Sequence, residues 1–229
     1  TLVMLGLDGQ IAVEAMGDAL AGCAGITGAM HLDPGMAQRL AHADLAGQGE
    51  AVTLLRLEGR SEAGLAQAVE RLYGLIAAYG EIFELDDDAT QTVWEGLRRM
   101  CFVAPGDAPL WRVSVRPSRA NGVVEGIRRY MAIDAVYDWG GGQVWLVAPS
   151  SADAGASEIR RVTASIGGAA TLVRAADEVR AAVGCFEPPD QEAERLMRGL
   201  KAAFDPAGIL NPGRLHREDR GHGAGGIDS

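Results

Sequence analysis

Lysine is almost missing from this chain: of 21 basic residues only Lys201 is a lysine, and the arginines are spread along helix-like stretches. Against 31 acidic residues this leaves a formal net charge of -10, which argues against a nucleic-acid partner, because neutralising phosphates needs clustered cations. Cysteine is scarce too. Cys23, Cys101 and Cys185 are odd in number, far apart and outside any C-x-x-C spacing, so they read as reduced, buried thiols of a cytoplasmic chain rather than a disulfide framework. No apolar run approaches a membrane span and no signal-peptide pattern is present. The histidines, His31, His42, His216 and His222, form no ligand set by spacing, so neither a metal site nor a resident general base is assigned. There is no G-x-G-x-x-G after a strand and no G-x-x-x-x-G-K, so the usual amide cradle for a pyrophosphate is lacking.

What is present is an ordinary globular composition, 48% hydrophobic and 23% charged over 229 residues, enough for one large core or two modest ones. Two halves repeat one order of elements. In residues 1–102, strands are expected at 2–7, 23–31, 51–57 and 81–85, with helices at 10–21 and 61–79. The second helix is the clearest: Leu65, Val69, Leu72, Tyr73 and Ile76 share a face at 3.6 spacing, and Ser61 is placed to cap it. In residues 108–204, strands are expected at 110–115, 133–139, 143–147 and 170–174, with helices at 118–131 and 152–166. Each half closes with an extra helix, at 87–100 and 190–204, whose leading aspartates read as caps. The fold class is therefore α+β: two ferredoxin-like (βαββαβ) repeats in one extended antiparallel sheet, with helices on one face and the other face free for a partner. The second half closes its central hairpin through Gly140, Gly141 and Gly142, where the first carries an insert at 32–49 with a short helix-like run from Met36 to Ala46. The folded domain is expected over 1–216, followed by a flexible, glycine-rich tail at 217–229.

Strand alternation selects candidate site residues. Trp111, Val113 and Val115 suit the helix-covered core, which leaves Arg112 with Leu110 and Ser114 on the opposite face. The same alternation groups Arg56 with Val52 and Leu54, and Arg174 with Ala170 and Leu172. Arginine's planar fork suits a carboxylate, although an ion pair to a neighbouring element explains each arginine equally well. Trp139 and Trp145 flank the glycine hairpin, either as packed aromatics or as contacts to a bound ring.

The densest motif is FDPAGILNPGR at 204–214, where Asp205, Pro206 and Gly208 fit one tight turn and Pro212-Gly213 another. On its residues alone it is a well-anchored terminal bend. The run resembles the C-terminal signature of FAD-linked oxidases of the vanillyl-alcohol oxidase type. LWRVSV at 110–115, DWGGGQVWL at 138–146 and ATLVRA at 170–175, with the stretch 1–31, are similar to the FAD-binding E subunit of bacterial glycolate oxidase. The resemblance covers residues 1 to about 215. It implies a cap domain, cut from a longer protein since the chain opens at Thr1 inside an apolar run, that lies over an FAD held by a separate N-terminal FAD-binding domain. It further implies a small 2-hydroxy acid substrate such as glycolate, other glycolate oxidase subunits as partners, and a cytoplasmic location with room for peripheral attachment to the inner membrane through them. Isolated, the chain would bind no FAD and be inactive. By the same resemblance Asn211, Pro212, Gly213 and Arg214 are cofactor-side candidates, and Arg112, Arg56, Arg174 and Trp139 line the substrate side. No catalytic residue is assigned. The alternative, from a different class, is a free-standing ligand-sensing or interaction module, because ferredoxin-like repeats host many functions.

Overall fold

A computed structural model describes residues 1–103, 106, 108–187 and 189–212. By contact density the chain divides into two compact units, Thr1–Cys185 and Phe186–Ser229. The first unit holds β1 (Leu2–Leu5), α1 (Gly9–Gly22), β2 (Ile26–Leu32), α2 (Pro34–Ala37), α3 (Ala43–Ala46), β3 (Val52–Leu57), α4 (Glu62–Ile76), β4 (Ile82–Glu84) and α5 (Asp87–Arg98). It continues with β5 (Leu110–Ser114), α6 (Ala120–Arg128), β6 (Asp134–Asp138), β7 (Gln143–Val147), α7 (Ala156–Ser165), β8 (Ala169–Arg174) and α8 (Asp177–Val183). The second unit contains α9 (Gln191–Phe204).

Helix starts follow their caps. The Asp8 side chain accepts from Gln10 and Ile11 N–H to open α1, Ser61 accepts from Gly64 N–H at 3.2 Å to open α4, and Asp86 accepts from Ala89 N–H at 2.8 Å to open α5. The acidic run at 86–88 is thus a cap, as its position suggested. Helix α8 was not anticipated; it is one short helix placed directly after β8.

All eight strands form one antiparallel sheet in the order β4-β1-β3-β2-β6-β7-β5-β8. Counted within its own half, each set of four runs 4-1-3-2, an order compatible with a ferredoxin-like unit. The halves meet where β2 pairs with β6 through only two residue pairs, His31 with Tyr137 and Leu32 with Val136. Pro34 then turns the chain away, and Asp33 extends the joint: its N–H bonds Ala135 O at 3.0 Å, and its carboxylate accepts the Ala135 N–H at 2.6 Å. A side-chain oxygen thereby takes the place of the next ladder carbonyl.

One face of the sheet is covered along both halves by α1, α4, α6 and α7. The core there includes Leu2, Leu55 and Leu72 in the first half and Trp111, Val144 and Ile159 in the second. Trp111 is fully buried and donates its indole N–H to Ala154 O at 2.9 Å, so its one polar atom is satisfied. The expectation of helices on one face alone describes the second half apart from Val136 of β6, which is fully buried in the core described next, with Trp145 and Val147 of β7 packed against it. In the first half the other face carries its own core, in which Val3, Met30, Leu32, Val52 and Leu54 of the sheet meet Met36 of α2, Leu45 of α3 and Val93 and Leu97 of α5. The insert between β2 and β3 supplies α2 and α3, and their apolar side chains would otherwise face water.

Candidate functional site on the bare face of the second half

The uncovered face is read off the ladder. Arg112 lies opposite Trp145 on β7 and Thr171 on β8, and Ser114 lies opposite Gln143 and Ala169. Arg112 and Ser114 are exposed while their neighbours Trp111 and Val113 are fully buried, so the alternation read from sequence holds on β5. Arg112 makes no hydrogen bond or ion pair with any described residue. Two strands away on β6, the Asp138 carboxylate is held by Trp139 N–H at 2.8 Å, by Gln143 Nε2 at 3.4 Å and by the Trp145 side chain. Burial pushes the Asp138 pKa up, and those three hydrogen bonds pull against the shift. A free guanidinium on a flat face beside an indole and two small hydroxyl side chains can grip a carboxylate with two parallel hydrogen bonds.

The other arginines are elsewhere. Arg56 lies on the covered second face of the first half, 2.8 Å from Glu58, with its guanidinium carbon 6.0 Å from the centre of the Trp94 ring. Four strand steps of about 4.8 Å separate its strand from that of Arg112, so the two cannot share one small ligand. Arg174 donates Nε to Ala108 O at 3.1 Å and leaves a buried Nη2 without a partner. Trp139 is 72% exposed at the hairpin tip, with a positive φ of 53° that aromatic residues rarely adopt.

In the second unit, Asp205 organises the terminal bend. Its carboxylate accepts Ile209 and Leu210 N–H at 3.0 and 2.9 Å and the Lys201 ammonium, and Gly208 N–H closes the turn on Asp205 O at 3.0 Å. Lys201, ahead of the backbone donors, holds the Asp205 carboxyl below its usual pKa. Asn211 follows with a φ of 47° and is exposed, as is Pro212. Gly213 and Arg214 lie outside the described residues, as does the expected tail at 217–229.

Sequence reasoning missed the seam. His31, at the end of β2, is 1% exposed; its Nδ1 lies 2.9 Å from Thr53 Oγ1 and its ring is 5.5 Å from that of Tyr137. Burial lowers its pKa to about 4, against a smaller opposing pull from Asp8. Asp33 binds Arg128, whose second arm reaches Glu125 at 2.8 Å. Only the pairing of β2 with β6 brings these groups together, and no local motif announces a strand partner 102 residues away. Among the described residues no group of three His, Cys, Asp or Glu is placed to hold a metal ion, and no helix is long and apolar enough to cross a membrane.

Comparison with known proteins agrees with this architecture. Residues 189–215 match the family model of the C-terminal domain of FAD linked oxidases. The chain is 32% identical over 148 residues to glycolate oxidase subunit GlcE of Escherichia coli (strain K12), a match that takes in 63% of this chain and 37% of that protein. It therefore spans little more than a third of the length of this curated relative. Among solved structures, 4-ethylphenol oxidase from Gulosibacter chungangensis, in its isoeugenol complex, superposes with a TM-score of 0.54 over 94% of this chain and 53% of that one; at 13% identity this speaks for the fold alone. Terminal segment and homologous stretch agree: the chain is similar to the FAD-linked oxidases and fits a fragment carrying their C-terminal domain.

Proposed function

We propose that this chain is the cap of an FAD-dependent oxidase or dehydrogenase acting on a small 2-hydroxy acid such as glycolate, closing over a flavin held by another domain of the same protein. The observation that carries this reading is the open face of the second half, with Arg112 on its strand β5 and without a partner among the described residues. That face suits a flat ring system: the half-buried Trp145 and Val147, which also pack against the core on the same side of the first half, give it an apolar edge, and Ser114 and Thr171 give it hydrogen-bonding groups. The chain offers no glycine-rich phosphate cradle, so the remainder of FAD belongs to the other domain. FAD, when bound, supplies the hydride acceptor. Arg112 would hold the substrate carboxylate, Trp145 would shield the reacting carbon from water, and the bend at Asp205 would present Asn211 and Pro212 toward the cofactor side. Other glycolate oxidase subunits are the expected partners, by analogy with the Escherichia coli relative, itself a glycolate oxidase subunit.

In the full-length protein with its flavin and partners, Arg112→Ala should raise KM for glycolate about 10- to 100-fold, the worth of a charge-assisted pair, with flavin content unchanged. Arg56→Ala, distant and ion-paired to Glu58, should leave KM where it was. An Arg112→Ala enzyme with normal KM removes the roof reading. Asn211→Ala should weaken flavin retention or shift its spectrum; an unaltered spectrum reduces the terminal bend to an anchor.

A further inference from the structure

Trp145 of β7 stands between two charged side chains of the open face. Across one ladder it pairs with Arg112 of β5, and across the other with Val136 of β6, whose next residue on the same face is Asp138. An arginine and a tryptophan facing each other on antiparallel strands are near enough for the guanidinium to lie flat on the indole. Among the described residues that stack does not form. The arginines that lie over rings are Arg56 on Trp94, Arg160 on Trp111 and Arg161 on Tyr130, and Arg112 makes no hydrogen bond or ion pair either.

Two contacts hold the indole elsewhere. Its N–H, the one polar atom of the side chain, donates to the Asp138 carboxylate, and the half-buried ring packs against the core on the same side of the first half. Both lie on the β6 side of β7, so the ring leans away from β5. Asp138 is a diagonal neighbour of Trp145, within reach of a long side chain. Its own place is fixed, because Trp139 N–H and Gln143 Nε2 donate to its two oxygens at 2.8 and 3.4 Å. No described cation is paired with this half-buried carboxylate, although burial disfavours its charge. Holding the indole gives the charge a use, since a carboxylate grips an N–H more firmly than a neutral acceptor does.

We propose that Asp138 is a positioning residue for the carboxylate grip: by holding the Trp145 indole toward β6 it keeps the guanidinium of Arg112 uncovered and open to a two-bond contact with the substrate. The inference rests on the cap reading, since it takes Arg112 as the group that holds the substrate carboxylate. Without Asp138 the indole turns to its other neighbour and stacks on Arg112. A carboxylate then has to displace the ring, a penalty equal to an exposed cation–π contact, or about two- to fivefold in affinity.

Two measurements test this. In the intact chain, isotope-labelled at arginine, Asp138→Ala should move the Arg112 Nε–H resonance upfield, because the ring current of the indole reaches a stacked guanidinium. In a Trp145→Leu background the same substitution should leave that resonance in place. In the full-length protein with its flavin and partners, Asp138→Ala should raise KM for glycolate about two- to fivefold at unchanged kcat and flavin content. Asp138→Ser, whose hydroxyl stays beside Trp139 N–H and preserves the hairpin, should do the same, and neither should add to Trp145→Leu. A raised KM in Arg112→Ala with a normal KM in both Asp138 variants overturns the role of Asp138 and leaves the cap reading standing. So does a rise that persists without Trp145, or an Arg112 resonance that stays fixed in Asp138→Ala. A normal KM in Arg112→Ala overturns the cap reading itself, and the role of Asp138 with it.

Discussion

The two halves of the sheet share a strand order and differ on one face. Between β2 and β3 the first half inserts α2 and α3, which with α5 bury Val52 and Leu54; between β6 and β7 the second half makes only a tight turn through Gly140 and Gly141, and its face stays open. The same scaffold is thus finished in one half as a closed core and left in the other as a surface whose arginine, Arg112, has no partner among the described residues. Side chains follow that difference: the first half puts aliphatic residues where the second puts Arg112, Ser114 and Thr171.

The largest effect should come from the closed face. Leu54→Ala leaves a cavity in a fully buried position and should lower the unfolding free energy by about 3 kcal/mol, read from urea melts at unchanged m. A loss below about 1 kcal/mol would mean that the second core is loosely packed and the halves are more alike than described. The seam comes next. His31 is neutral in the folded chain with a pKa near 4, whereas the unfolded chain takes up the proton near 6.5, so its contribution is intact above pH 6.5 and is lost as pH falls towards 4. The loss approaches about 3 kcal/mol, partly offset at the acid end by Asp33, whose burial raises its pKa. Urea midpoints between pH 7 and 4.5 check this, and His31→Asn should flatten the slope. Trp139→Gly, at the hairpin tip of the open half, should raise stability by up to about 1 kcal/mol by relieving the positive φ, visible as a rise of a few degrees in Tm. Arg112→Ala should change stability by less than about 0.5 kcal/mol, because no described residue is bonded to it. A large loss there would show that the open face is structural after all.

Much of this was legible in the chain. The alternation of Trp111, Arg112, Val113 and Ser114 fixed both faces of β5, and the caps at Ser61 and Asp86 marked helix starts, because these signals are local. In the insert a helix-like run is legible at 36–46, where the structure has α2 and α3, but not that these would close over the sheet, because that packing is set by residues distant in sequence. For Arg56 alternation named the correct neighbours, Val52 and Leu54, but not that α5 and Trp94 would close over them. His31 and Asp33 gained their partners, Tyr137 and Arg128, only through the pairing of the halves, which no window of sequence contains.

That joint has a mechanical consequence. Within each half the central strands are fastened over four to six residue pairs, but across the middle two pairs and the two hydrogen bonds of Asp33 to Ala135 join the strands. Amides of β3 and β7 should therefore exchange with solvent only when a whole half opens, while those of β6 at the joint exchange earlier, so that the molecule comes apart first along its own midline.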